Sequence, residues 1–216
     1  KANKRFRLKA RGVVMASGAW INKTVMRDLP STYHEALSKF QHAPFLVANV
    51  ALTNWRFLYD RGITACRYNG PFGFGCNIRQ PMIVGDHQPP LDPDKPIVLT
   101  FYVPFIFPGL SVRDQVIKGR TELLMSSYAQ YEGQILSQMK MLFGKSFLPN
   151  RDLAGIILNR WGHAYVVPTP GFYFGRNGES APRDVIRKGY GRIAVGHSEL
   201  RGNQHWGPAA EEGKRA

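Results

Sequence analysis

Near the C-terminal end a short apolar run, Ile193-Ala194-Val195, stops at Gly196. A polar stretch beginning His197-Ser198-Glu199 follows, and it leads to His205-Trp206-Gly207-Pro208-Ala209, which reads as the start of a helix. Strand, polar loop and helix start together can do one kind of chemistry. The first N–H groups of a helix have no partner within it, and with the helix dipole they concentrate positive potential at one spot. Such a spot holds an anion or an electron-rich ring.

Other residues that could do chemistry lack the surroundings it needs. "GYGRIA", Gly189 to Ala194, fits the glycine spacing of a dinucleotide-binding turn, but its glycines precede a strand instead of joining a strand to a helix. "GFGCNI" at Gly73 lacks the third glycine, and "FGKS" at Phe143 has Met139 where a phosphate loop needs its first glycine. The six histidines show no pairing at the spacing of a helical zinc site, so no metal is expected. There is no Gly-x-Ser-x-Gly elbow and no pair of acids at catalytic spacing. Cys66 and Cys76 match no zinc, haem or thioredoxin motif. They read as two small buried thiols, or as a disulfide across facing strands. Asn22-Lys23-Thr24 is a formal glycosylation sequon.

The elements that must position these residues follow from periodicity. Phe6 to Leu8 alternates as a strand, Val13 to Ala16 reads as a buried strand ending at the Ser17-Gly18 turn, and Phe45 to Leu52 as another after a helical piece around Glu35 to Phe40. "ITACRYNGPFGFGCNIRQP" reads as a hairpin around a glycine-rich bend, "GDHQPPLDPDKP" as a loop, and the nearly continuous apolar run of "PIVLTFYVPF" as a central strand. From Ser111 the period becomes helical, with Ser111 and Asp114 as a capping box and Gly144 as the stop, predicting one long helix over about 111–144. "DLAGIILNRWGHAYVVP" is a strand and "TPGFYFGRNGESAP" an irregular loop. Strands that look antiparallel beside long helices make the fold class α+β.

At 216 residues the chain is long enough to bury a real core, and 44% hydrophobic with 20% charged residues is ordinary for a globular protein. No run of about 18 apolar residues predicts a membrane span. The net charge is +14, and Lys1, Lys4, Arg5, Arg7, Lys9 and Arg11 place six positive charges in the first eleven residues. A basic surface suits nucleic acid, an anionic surface, a phosphate-bearing cofactor or an acidic partner, and it also suits a plain solvated face.

The combination "GRIAVGHSEL" and "HWGPAAEEGKRA", together with "APFLVANVALTNWRFLYDRGI" and "NRWGHAYVVP", resembles the C-terminal portion of the FAD-dependent amine oxidoreductases. The likeness is nearest to the bacterial spermidine dehydrogenase-like flavoprotein family. That resemblance implies an antiparallel-rich substrate sheet with helices, plus strands and a C-terminal helix that complete a Rossmann-like FAD domain supplied mostly by other sequence. The implied divisions are 1–30 for the returning strands, 31–184 for the substrate-type domain and 185–216 for the closing FAD-binding segment. It implies cofactor contacts from Ser17, Gly18, Gly196, Ser198, Glu199, His205, Trp206, Gly207, Pro208 and Ala209. Ser198 or Glu199 would meet ribityl hydroxyls, and Gly207 and Ala209 would let backbone approach the ring.

Many members of the group flank the flavin with two aromatic rings. The closing helix puts His205 where one is usually Tyr, with Trp206 adjacent and Tyr173 or Phe172 as the other wall. His205, Trp206 and Tyr173 are then the expected catalytic residues, and Trp161, His163, Tyr165 and Phe172 the expected lining of the substrate site. No cysteine lies near residue 170, which implies non-covalent FAD. The implied reaction is hydride transfer from an amine, polyamine-like by resemblance, although a charge of +14 repels a polycation and leaves another amine or an uncharged substrate open. The implied partner is a chain or N-terminal segment carrying the glycine-rich FAD unit, with an unknown electron acceptor, and relatives are often periplasmic. Two rival readings are an inactive flavoprotein-like subunit and a basic nucleic-acid or anionic-surface module. The second lacks any RNA-recognition or helix-turn-helix signature.

Overall fold

Where side chains alternate between apolar and polar the chain forms strands, and where the period lengthens to 3.6 it forms helices. The structure is a computed structural model that describes residues 4–79, 83–87 and 91–216. Lys1, the end of the hairpin run at Gln80-Pro81, and residues 88–90 of the proline-rich loop lie outside the described residues. The chain divides into two units, one made of 1–42 with 165–216 and the other of 43–164. Two segments expected in the middle domain, 31–42 and 165–184, therefore belong with the chain ends. Their apolar residues explain it: Tyr33, Leu37, Phe40, Phe172 and Ile186 share a core with Val195 and Leu200.

In the first unit β1 (Val13–Met15) pairs in parallel with β7 (Ile193–Val195), Val14 opposite Ala194. β1 leads into α1 (Ala19–Val25), and β7 leads through a 3-10 turn at 198–201 to α8 (Trp206–Arg215). Between them α2 (Ser31–Ser38) packs on α7 (Pro182–Arg187), where the Tyr33 hydroxyl donates to the Ile186 carbonyl at 3.1 Å. Residues 4–12 form no strand, and Phe6 and Leu8 are 83% and 92% exposed. Alternation makes a strand only when a neighbour pairs with it, and among the described residues none does. Asn22 is fully buried and its amide donates to the Ser17 carbonyl, which removes it as a glycosylation acceptor.

The second unit is a five-stranded sheet in the order β3-β4-β5-β2-β6, packed on two helices. Its strands are β2 (Gln41–Leu52), β3 (Ala65–Arg67), β4 (Gly75–Ile78), β5 (Ile97–Pro104) and β6 (Leu153–Val167); a single helical turn, α3 (Arg56–Tyr59), follows β2. β3 with β4, β4 with β5 and β5 with β2 are all antiparallel. The expected hairpin is β3–β4, and the apolar run at 97–104 is internal to the sheet. Leu46, Ala48, Val50 and Leu52 alternate on the buried face of β2, each at 0% exposure.

The long helix expected over 111–144 is two, α4 (Val112–Met125) and α5 (Tyr128–Phe143). Ser127 restarts the chain with a full capping box, its hydroxyl accepting from Gln130 N–H while the Gln130 side chain accepts from Ser127 N–H. Ser111 does cap α4, accepting from Asp114 N–H at 3.2 Å, and Gly144 ends α5 in the left-handed region at φ 56°. A single turn, α6 (Pro149–Asp152), precedes β6.

Gly119 marks the tightest contact of α4. A Cβ built there would lie 2.7 Å from Phe105 Cβ and 2.9 Å from Pro44 Cγ. Gly→Ala inside an exposed helix gains up to about 1 kcal/mol. Gly119→Ala is expected instead to destabilise by about 1–3 kcal/mol, because the helix must lift off the sheet. Urea unfolding of the two proteins measures the sign.

Candidate functional site

Two strand ends and two helix starts build the site in the first unit. After β1, Ser17 and Gly18 turn the chain into α1; the Ser17 hydroxyl donates to Asn22 Oδ1 at 2.6 Å. Ala19 N–H, at the α1 N-terminus, donates to Glu199 Oε1 in a short hydrogen bond. The other oxygen of Glu199 lies 2.6 Å from His42 Nε2. Glu199 is 1% exposed and His42 4%. Buried charge needs a partner, and here the helix start and the imidazole supply it. Glu199 therefore ties the α1 turn to the loop after β7 through its two carboxylate oxygens. His197 adds to this, its Nδ1 accepting from Glu199 N–H at 3.3 Å.

A second buried carboxylate anchors α8. Glu212, at 0% exposure, accepts from Arg201 Nε at 2.8 Å, from Arg215 Nε at 2.8 Å and from Arg187. Arg215 also donates to the carbonyls of Val195 and Arg187, so α7, β7 and α8 meet at one ion cluster. Burial pushes the Glu212 carboxyl up, but hydrogen bonds from Arg187, Arg215 and Arg201 outweigh it and hold the group below the usual carboxylate range. Gly196 sits under the far end of this helix: a Cβ there would lie 3.0 Å from Ala216 Cβ and 3.2 Å from the Glu212 carbonyl.

The expected cofactor contacts thus fall at two places. Ser17, Gly18, Ser198 and Glu199 lie at the strand ends, and Gly196 lies there under the C-terminal end of α8. His205 to Ala209 form the other end of α8, on the order of 15 Å away for ten residues at about 1.5 Å each. At that end no side chain caps the helix, Trp206 is 81% exposed, and a Cβ on Gly207 would meet nothing within 4 Å. Pro208 removes one amide hydrogen from the first turn, so Trp206 and Gly207 N–H are the groups the helix start presents. Upstream, Gln204 Oε1 accepts from Val166 N–H at 2.8 Å and pins the approach to α8.

Tyr173 is brought to the same loop. Gly202, left-handed at φ 69°, leaves a notch for its ring; a Cβ on Gly202 would fall 2.0 Å from the Tyr173 hydroxyl. Arg183 lies over the Tyr173 ring at 5.0 Å. Phe172, expected to line the substrate site, is instead 1% exposed in the core, its ring 5.2 Å from Phe40. An aromatic next to Pro and Gly turns reads the same whether its ring points inward or outward. Tyr165 begins the returning part of this unit and is 44% exposed.

In the second unit, Trp161 and His163 share one face of β6, and Trp161 is 58% exposed. The face of the sheet away from α4 and α5 carries a group that the motifs did not point to: Phe45, Phe74 and Tyr102, with ring centroids 6.4–6.5 Å apart. Asn49 and Thr100 stand opposite each other in register, joined by a hydrogen bond of 2.8 Å. The signal was present as alternation in β2, whose odd positions are half-buried while the even ones are buried. It identified a face without saying what covers it. No helix among the described residues is long and apolar enough to cross a membrane.

No protein-family model matches the chain, and no curated protein matches it. Solved structures do. The chain is similar to cyclohexylamine oxidase from Brevibacterium oxydans, with a TM-score of 0.64 at 16% identity over 97% of this chain. It is also similar to a double mutant of putrescine oxidase redesigned for cofactor binding, with a TM-score of 0.60 at 14% identity over 94% of this chain. It spans 41% of the length of each. The fold is that of part of an amine oxidase chain.

Proposed function

We propose that this chain is the C-terminal portion of a flavin-dependent amine oxidoreductase, presenting the uncapped N-terminus of α8 to an FAD whose glycine-rich unit is supplied by other sequence. The observation that carries the reading is that helix start: two amide N–H groups, an exposed Trp206 and the open space beside Gly207 together. They fit the electron-rich edge of a flat ring. FAD, when bound, supplies a two-electron acceptor for a hydride from the carbon next to an amine nitrogen.

The remaining roles belong to the chain. Trp206 and Gly207 N–H groups, backed by the helix dipole, favour negative charge at their end of α8. His205 and Tyr173 stand as the polar and aromatic groups of that loop. Glu199 positions the Ser17-Gly18 turn and makes no direct contact in this reading. On the separate sheet face, Phe45 and Tyr102 offer rings to an alkylammonium, which aromatic faces attract, while Phe74 beside them already carries the Arg67 guanidinium at 4.7 Å. A monoamine or short diamine fits a chain of charge +14 better than a long polycation does. The nearness to spermidine dehydrogenase-like flavoproteins stays within this proposal.

The complete enzyme, purified with all its sequence, is expected to show the visible absorption of bound flavin and to lose it when cyclohexylamine, putrescine or spermidine is added without oxygen. Flavin that no amine bleaches would remove the amine chemistry. Absence of flavin would favour the inactive-subunit reading, in which His205 replaces a needed aromatic ring. Gly207→Val in the same enzyme is expected to leave unfolding within about 0.5 kcal/mol, since its side chain meets open space. Flavin content should fall at least about tenfold, one decade being worth about 1.4 kcal/mol of binding. Flavin retained at wild-type level would overturn the assignment of that helix start.

A further inference from the structure

The second unit holds a pair of sulfurs that the proposed chemistry does not use. Cys66 on β3 and Cys76 on β4 are both free and stand directly opposite in register. Their sulfur atoms are 3.2 Å apart. Hydrogen bonds from Ile78 N–H to the Thr64 carbonyl and from Tyr68 N–H to the Phe74 carbonyl flank them two residues away on either side. That spacing makes 66/76 a hydrogen-bonded pair, with Cα atoms about 5.5 Å apart. Disulfides span Cα separations of about 4.4–6.8 Å and need the sulfurs at about 2.05 Å. Closing the bond therefore takes a side-chain movement of roughly an ångström and no change of register.

The two sulfurs are also unequal. Both line a cleft of about 330 Å³ together with Ala65, Arg67, Asn77 and Tyr102. Cys66 is partly exposed and Cys76 is buried. Burial, with the Cys66 sulfur beside it, pushes the Cys76 thiol well above the ordinary range, so Cys76 stays protonated while Cys66 meets solvent.

We propose that Cys66 and Cys76 are a reversible redox pair, oxidised by a peroxide to a disulfide that locks the edge strand of the sheet. The Cys66 thiolate attacks one peroxide oxygen and breaks the O–O bond; with hydrogen peroxide, one proton taken up releases water and leaves Cys66 as a sulfenic acid. Cys76 sulfur then attacks Cys66 sulfur, and its proton leaves with the displaced hydroxide as a second water. In sum two thiols and one hydrogen peroxide give one disulfide and two waters, the sulfurs losing two electrons that the peroxide gains. β3 is three residues long, lies at the edge of the five-stranded sheet and pairs on one side only among the described residues, so it is prone to fray. The bond ties it to β4 on the core-facing side of the sheet. The pair stands on this geometry alone and not on the amine chemistry.

The test treats the full chain, reduced and then freed of reductant, with one equivalent of hydrogen peroxide. Free thiols are counted after denaturation, and cross-linked peptides are mapped by mass. Loss of the Cys66 and Cys76 thiols, with a 66–76 cross-link that dithiothreitol reverses, is the expected result. Two thiols persisting, or cross-links between chains in place of 66–76, would overturn the proposal. The order of attack is read with dimedone: Cys76→Ser should trap a sulfenic acid on Cys66 at least tenfold faster than Cys66→Ser traps one on Cys76. Equal trapping would overturn the roles assigned to the two sulfurs. The cross-link map uses the unmodified chain, so it decides the pair even where a variant folds poorly.

Discussion

Glu212→Gln is expected to lower the stability of the first unit by about 3 kcal/mol, read from chemical denaturation. Removing one member of a buried ion cluster leaves the others uncompensated, which costs about 3–5 kcal/mol in fully buried cases. Three arginines converge on Glu212, but their side chains keep 22–44% exposure and Arg201 also holds Glu211 at 2.8 Å, which sets the effect at the lower end of that range. The same carboxylate makes stability depend on pH. Its folded-state pKa lies below the unfolded one, so its contribution is full above the ordinary glutamate range near 4.3 and is lost as pH falls through the lower, folded value. Acid unfolding should therefore be shallower in Glu212→Gln than in the parent, whose extra stability disappears over that interval. Identical acid profiles would mean that the cluster contributes nothing.

Glu199→Ala is expected to be nearly as damaging, at about 3 kcal/mol, and Glu199→Gln about half as much. Alanine takes the acceptor from Ala19 N–H and the carboxylate from His42, both in the interior. Glutamine keeps the volume and one acceptor oxygen. In the complete enzyme both variants should lower flavin content through the Ser17-Gly18 turn, alanine more than glutamine. A surface acid would show neither loss, since exposed substitutions change stability by no more than about 0.5 kcal/mol.

Much of the backbone was legible because its signals are local. The apolar run 97–104 announced an internal strand, and the glycine-rich bend before Cys76 announced a hairpin. Glycines 189 and 191 take φ of 71° and 57° in the tight turn before β7, which is why they mimic a nucleotide motif. The break between α4 and α5 was legible too, as Ser127 three residues before Gln130, but the helical spacing of apolar residues runs straight across it. Period and cap disagreed there, and the cap prevailed.

Side-chain destinations were a different matter. Phe172 in the core and the meeting of Phe45 with Phe74 and Tyr102 depend on which strands and loops lie beside them. The sequence by itself determined where the strand before Gly196 ends and where α8 begins at Trp206, because a change of period and a run of small residues mark both within a few positions. Only the tertiary structure decided that Glu199 is an internal tie and not a surface group, and that Gly196 and Gly207 lie at opposite ends of one helix. Glu199 meets its partners 180 and 157 residues earlier in the chain. A buried charge is held by whatever the fold brings to it, and no local pattern encodes a partner that far away.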